Sequence, residues 1–229
     1  MNIRHFRFSL FLLVILWGCN SANAQKSFSS LGESAIGINH RISKKYNLNI
    51  TLRSRYFLYN NDHFGYEQQQ FDIYHLSSFK WKKNKTFAIG IYYRDRDWFD
   101  SGSDELRFMQ QFVRKKQLLT TNISHRFRAE QRLFDTSTIY RQRYKLSMDF
   151  PLKTVKNKSI KTYLSTALEA LWSLSKQIKG ETDFRVTAQM VWPILNKLRL
   201  KAGLEHRMEA FNLKAKHYLF VLTSASLKI

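Results

Sequence analysis

The residues of this chain that most directly indicate a chemistry are basic and acidic ones at alternate positions. In three successive segments, Arg and Lys recur at every second residue, with a few carboxylates among them. The set consists of Glu105, Arg107, Arg126, Arg128, Glu130, Arg132, Arg141, Arg143, Lys145 and Asp149. Residues two apart on a β-strand face the same side, so each segment would present its charges on one face. Such a face would bind anions, or it would fill a closed interior with paired Arg and Glu side chains.

The elements that would position these charges are β-strands, because apolar and polar residues alternate around them with period two. No stretch after the N-terminal region approaches the roughly 18 apolar residues of a membrane helix. Eleven segments show the alternation: Ala35–Ile42, Tyr46–Leu58, Phe71–Trp81, Phe87–Tyr93, Leu106–Phe112, Leu119–Leu133, Tyr140–Leu152, Leu164–Trp172, Thr182–Ile194, Leu198–Met208 and Leu219–Ile229.

Long strands with one apolar and one charged face are typical of transmembrane barrels. Every backbone polar group in hydrocarbon needs a partner, so such a sheet must close. The sequence therefore predicts an all-β, antiparallel, up-and-down transmembrane β-barrel of 10–12 strands. Because bacterial barrels usually have an even number of strands, we expect ten or twelve rather than eleven. A soluble β-barrel with an apolar interior is the alternative.

The first 24 residues have the features of an export signal. Arg4 and Arg7 precede an apolar run from Phe8 to Trp17, and an Ala-x-Ala site ends at Ala24. We expect cleavage after Ala24, which leaves residues 25–229 as the barrel domain. An uncleaved anchor and lipoprotein processing at Cys19 are the alternatives. Cys19 is the only cysteine, so the mature domain would contain no disulfide.

The formal charge of +21 would suggest nucleic acid as the partner of a soluble intracellular protein. Export separates the chain from intracellular nucleic acid, so we expect no nucleic-acid binding. The expected location is the outer membrane of a Gram-negative cell. The expected partners are outer-membrane lipid, lipopolysaccharide and the barrel-assembly machinery, with the protein itself a monomer.

The connections fall into two sets that alternate along the chain. One set is basic and mostly short, comprising Ser43–Lys45, Lys82–Lys85, Arg114–Lys116, residues 154–159 and Leu195–Lys197. The other is more polar and mostly longer, comprising Asn60–Glu67, Asp95–Asp104, Asp135–Thr138, Ser173–Glu181 and Ala210–Lys216. Short periplasmic turns and longer external loops would produce this alternation. Aromatic residues near the strand ends, such as Tyr46, Trp81 and Trp192, fit the girdles at the membrane interfaces.

No arrangement of residues indicates catalysis. Five histidines (His40, His75, His125, His206 and His217) fall on the apolar phase, whereas Ser124, Ser147 and Ser165 fall on the polar phase. A nucleophilic serine needs a histidine within reach, and strand alternation separates the two. His63 lies in a predicted loop beside Asp62. We expect no enzyme activity, no cofactor and no metal site.

Three blocks in this order resemble a known family. They are Asp104–Arg107 with Gln110–Gln111, His125–Arg132, and Arg141–Leu146 followed by Pro151–Leu152. Together they are similar to the "domain of unknown function 2490" family of predicted outer-membrane proteins. The resemblance covers nearly the whole mature chain and implies an outer-membrane barrel, but no reaction.

The expected role is that of a small anion-favouring pore, or of a structural barrel with an interior lined by Arg and Glu. Two other functions remain open: an outer-membrane lipid-modifying enzyme, and a soluble periplasmic β-barrel that binds a ligand. An inward-facing cluster of Ser, His and a carboxylate would favour the enzyme. An apolar interior would favour the soluble binding protein.

Cleavage of the signal predicts the mass of the mature protein. The intact mass of protein purified from membranes should equal that of residues 25–229, because Ala22 and Ala24 provide the small side chains that the cleavage site needs. Replacing Ala24 with a bulky residue (Ala24→Leu) should leave the signal attached. A mature chain that begins with lipid-modified Cys19 would contradict this assignment.

Overall fold

In the part of the chain that the structure describes, eleven strands form a single closed sheet. The structure is a computed structural model, which describes residues 28–60, 62–152, 162–177, 179–194 and 197–229. No helix in these ranges is long and apolar enough to cross a membrane. The predicted signal, residues 1–24, lies outside the described residues. The strands are β1 (Phe28–His40), β2 (Tyr46–Asn60), β3 (His63–Lys82), β4 (Lys85–Asp95), β5 (Glu105–Leu118), β6 (Thr121–Leu133), β7 (Thr138–Pro151), β8 (Tyr163–Leu174), β9 (Glu181–Ile194), β10 (Leu198–Glu209) and β11 (Lys216–Lys228).

The sheet closes between its first and last strands. Each strand runs antiparallel to the next, but β1 and β11 pair in parallel, from Phe28 opposite His217 to Asn39 opposite Lys228. The predicted all-β closed barrel is confirmed. The expectation of an even number of strands is wrong, because a parallel pair also completes the hydrogen-bond ladder and allows an odd number to close.

Side chains alternate between the outside and the inside of the barrel in the sense expected for a membrane. On β8, Leu168 is 47% exposed, whereas the adjacent Glu169 is only 3% exposed. On β4, Ile89 is 67% exposed, whereas Tyr92 and Arg94 are buried. A soluble barrel would turn its apolar face inward. The apolar exterior and charged interior therefore define a barrel of the transmembrane type.

The connections lie at two ends of the barrel, which we call the turn end and the loop end. Residues 41–45, 83–84 and 119–120 connect strands at the turn end, where the chain finishes at Ile229. Residues 96–104, 134–137, 175–180 and 210–215 connect strands at the loop end. A short 3-10 helix, Asp97–Phe99, lies in the first of these loops.

Two predicted connections are strands instead. Asn60–Glu67 was expected to be a loop, but β2 continues to Asn60 and β3 begins at His63. Aromatic contacts between Tyr59 and Phe64, with ring centroids 4.8 Å apart, extend this hairpin beyond the predicted strand ends. Arg114–Lys116 was expected to be a turn but lies in β5, which pairs with β6 as far as Leu118 opposite Thr121. The predicted turns at residues 154–159 and 195–196 lie outside the described residues.

Close contact between β9 and β10 depends on Gly203. A Cβ at this position would collide with the carbonyl oxygen of Ala188 and would lie 2.6 Å from the Cα of Gln189. Gly203→Val should therefore lower the free energy of unfolding in detergent by about 2 kcal/mol, as overpacking does in other tight sites. The matched control is Gly65→Val, because no atom lies within 4 Å of a Cβ built there. Equal stability of the two variants in a denaturant titration would contradict the packing described here.

Candidate functional site

The inward faces of the strands enclose a charged cavity of about 950 Å³. Twelve Arg, two Lys and six Glu side chains line it. A second cavity of about 320 Å³ lies nearer the turn end and is lined by Ser124, Ser147, Ser165 and Lys201, among others. Arg126, Lys145, Thr187 and Gln189 line both cavities. These four residues therefore mark the level at which one cavity meets the other, and we call them the junction.

Cationic side chains face one another directly across the strands of the barrel interior. Arg107 lies opposite Arg132, Arg128 opposite Arg143, and Arg126 opposite Lys145. Like charges in directly opposite positions destabilise a sheet, so this arrangement needs carboxylates between the pairs.

Glu105 supplies one such carboxylate near the loop end. It accepts hydrogen bonds from Arg107 at 2.5 and 2.7 Å and from Arg132 at 2.5 and 3.1 Å. Arg94 also approaches it, with Nη1 3.4 Å from Oε2. Glu105 is 1% exposed. Its negative charge is thus shared by three guanidinium groups.

Glu130 and Glu169 supply the next two carboxylates. Arg143 bridges them, with Nη1 2.9 Å from Glu130 and Nη2 2.9 Å from Glu169. Arg126 donates to Glu169 at 2.8 Å. Arg128 lies 3.6 Å from Glu130. The four strands β5 to β8 are therefore connected by a continuous chain of ion pairs through the interior.

The structure places all ten sequence-predicted residues on the inward face, but it does not bring all of them together. Arg141 belongs to a separate contact, with Nε 2.7 Å from Ser173 and Nη2 3.8 Å from Asp183. Asp149 accepts a hydrogen bond from Ser165 at 2.7 Å, away from the arginines. Lys145 forms neither an ion pair nor a hydrogen bond with the described residues. The role of these residues in binding remains a prediction.

Sequence reasoning missed a second group of ion pairs, which links the first strands of the barrel to the last ones. Glu33 on β1 lies 3.4 Å from Arg53, 2.8 Å from Arg55 and 3.4 Å from Arg207 on β10. Arg207 also bonds Glu205 and lies over the Phe220 ring at 3.6 Å. The period-two spacing of Arg53 and Arg55 was available as a signal. The contact with Arg207 was not, because only barrel closure brings it near.

The loop of residues 96–104 brings another cation to the mouth of the larger cavity. Arg96 donates to Gln70 from Nε and Nη2, each at 3.1 Å, and has no ion pair in the described ranges. Burial, together with the nearby charges of Arg94 and Arg55, lowers the pKa of Arg96 to about 10. Asp104 fixes the conformation of the loop, because its Oδ1 accepts hydrogen bonds from the backbone N–H groups of Arg96 and Asp97. These hydrogen bonds, with a third from Tyr93, lower the pKa of Asp104.

The histidines lie apart from the cavities. His206 and His217 contact each other on the exterior, with Nε2 3.2 Å from Nδ1, and His125 contacts Tyr144 at 2.8 Å. His63, expected in a loop, is the first residue of β3. No histidine lines either lumen cavity in the described part of the chain. The absence of enzyme activity nevertheless stays a prediction.

The fold and interior together define this chain as a transmembrane-type β-barrel with a charged lumen. The family model "Protein of unknown function (DUF2490)" matches residues 34–215, and the chain belongs to that family. A search of curated proteins gives no match. Among solved structures, the chain is similar to LpxR from Salmonella typhimurium, with 7% identity and a TM-score of 0.46 over 80% of this chain and 83% of that one. That similarity is too distant to transfer a property from one protein to the other.

Removing the carboxylate at the centre of the network should destabilise the barrel. Glu130→Gln would leave Arg107, Arg128 and Arg143 facing one another with less compensation, and breaking a buried ion pair in this way costs about 3 kcal/mol. The free energy of unfolding, measured by denaturant titration in detergent, should fall accordingly. Asp135→Asn, which removes an exposed carboxylate from a loop, is the control and should change little. A stability of Glu130→Gln equal to that of the control would show that the network contributes nothing.

Proposed function

We propose that this protein is an outer-membrane β-barrel that binds small anions in its lumen and conducts them across the membrane. The charge imbalance around the larger cavity is the observation that supports this most directly. Fourteen cationic side chains line the cavity with only six carboxylates. Three further carboxylates, Asp72, Glu105 and Asp183, are buried behind the lining and reduce the imbalance without cancelling it. Rings of Arg and Lys favour anions in other pores.

The position of the unpaired cations gives the proposed pathway a direction. Arg96 lies at the loop-end mouth, where its guanidinium forms no ion pair with the described residues. Lys145, which forms no ion pair with the described residues, lies at the junction, and Lys201 lines the smaller cavity beyond it. An anion that enters at the loop end would therefore meet uncompensated positive charge at three successive levels of the lumen.

The outer membrane is the proposed location, because the outer surface of the barrel fits a lipid environment. Its outward residues are apolar, and the turn end carries the short connections that face the periplasm in other barrels. We propose a monomer surrounded by outer-membrane lipid and lipopolysaccharide and inserted by the barrel-assembly machinery. A lumen closed to ions would make the protein a structural barrel instead.

Lys145 offers the sharpest test, because its loss leaves no carboxylate without its partner. In planar bilayers with a KCl gradient, the wild-type reversal potential should indicate anion selectivity. Lys145→Gln should lower the ratio of anion to cation permeability by about fivefold, since a charge at about 4 Å in water is worth ~1 kcal/mol. Lys176→Gln, at an exposed position in a loop, should leave the ratio unchanged.

Three results would count against conduction. They are the absence of channel currents from correctly folded protein, selectivity for cations, and equal permeability ratios in the Lys145→Gln and Lys176→Gln variants. Folding is checked independently by the shift in electrophoretic mobility on boiling.

A further inference from the structure

The rim of the barrel at the turn end carries a dense group of cations with no carboxylate beside them. We call this group the basic patch; it consists of Lys80, Lys82, Lys83, Lys85, Arg114, Lys115 and Lys116, on the β3–β4 hairpin and on β5. All seventeen acidic residues of the chain lie in the described ranges. None of them forms an ion pair with the patch in the part of the chain that the structure describes. The compensating negative charge must therefore come from outside the protein.

Two cations of the patch, Lys85 and Arg114, face the membrane interface rather than the lumen. Lys85 on β4 lies opposite Arg114 on β5, and both belong to the outward-facing phase of their strands. Trp81 projects between two lysines, with Lys82 Nζ 5.3 Å and Lys85 Nζ 5.4 Å from its ring centroid. A half-exposed tryptophan flanked by lysines is characteristic of the level at which lipid headgroups begin.

An apolar groove of about 600 Å³ begins directly beside this pair of cations on the same outer wall. Phe87, two residues from Lys85, and Phe112, two residues from Arg114, form one side, with their rings 4.9 Å apart. Ala129 leaves the groove deep because its side chain is small. Gln110 borders the groove, and its amide is satisfied by reciprocal hydrogen bonds with Gln131 at 3.1 and 3.3 Å. The groove is therefore suited to a hydrocarbon chain.

We infer that this wall binds one anionic phospholipid, with an acyl chain in the groove and the headgroup phosphate between Lys85 and Arg114. Charge complementarity selects the headgroup, since the basic patch has no internal counter-charge. The adjacency of cations and groove selects a lipid rather than a free phosphate, since a free phosphate would make no use of the groove. Basic pockets on the walls of other membrane proteins bind anionic headgroups in the same way. This binding is independent of whether the lumen conducts ions.

Native mass spectrometry of the full mature barrel in detergent provides the test. The probes are dioleoyl phosphatidylglycerol, which is anionic, and dioleoyl phosphatidylcholine, which has the same chains and no net charge. The wild type should retain one phosphatidylglycerol in preference to phosphatidylcholine. The double variant Lys85→Gln and Arg114→Gln should weaken retention of phosphatidylglycerol by about tenfold. Ala129→Trp, which fills the groove without altering charge, should weaken it as well.

The control removes the same number of charges from the same end of the barrel. Lys197 and Lys228 lie at the turn end on the opposite side of the barrel, and the double variant Lys197→Gln and Lys228→Gln should retain the lipid as the wild type does. Equal losses in the two double variants would mean that only overall charge matters. That result, equal retention of the two lipids, or full retention by Ala129→Trp would overturn the inference. The heat-dependent band shift confirms that each variant is folded.

Discussion

The sharing of a few buried carboxylates among many arginines is the interaction on which this structure depends. Closure of the sheet forces the inward residues of eleven strands into one small space, and cations there lie directly opposite cations. Glu33, Glu105, Glu130 and Glu169 each contact two or three guanidinium groups and so make closure possible. Breaking such a pair costs more than the intact pair contributes, because the remaining charge is left uncompensated. Cations remain in excess, and the proposed affinity of the lumen for anions rests on that excess.

The same alternation of residues that charges the interior makes the exterior apolar. Within the membrane, successive residues of a strand face the lumen and hydrocarbon in turn. The ends of the barrel differ in a second way. Acidic residues such as Asp97, Asp100 and Asp104 lie at the loop end. In the described chain, the charged residues on the outward face of the turn end are all cations. The protein thus presents different charge to the two membrane surfaces, and this polarity supports both the proposed direction of anion entry and the lipid site.

The strands and the side of the sheet that faces inward could be predicted from the sequence, because local patterns of residues determine both. All eleven alternating segments correspond to strands, and the ten predicted charged residues lie on the inward face, because alternation is a property of neighbouring residues. The closing pair could not be predicted, since β1 and β11 meet only after the whole chain has folded. The contact between Glu33 and Arg207 has the same origin, since its partners are 174 positions apart in the sequence. The hairpin at Tyr59 and Phe64 was missed because Asn60, Asp62 and Gly65 suggest a turn, whereas packing of the aromatic rings extends both strands.

The central claim is that charged residues face an internal lumen and apolar residues face lipid. The most direct measurement is the collision of spin labels with oxygen, which concentrates in hydrocarbon, and with a water-soluble nickel complex. Labels would be attached to single cysteines at Ser124→Cys and Ser147→Cys on the inward phase, and at Ile123→Cys and Leu146→Cys on the outward phase. In lipid vesicles, the outward labels should collide with oxygen and be protected from nickel, and the inward labels should show the reverse. Outward labels that collide with nickel rather than with oxygen would contradict the account. Equal collision rates for the inward and outward labels would contradict it as well.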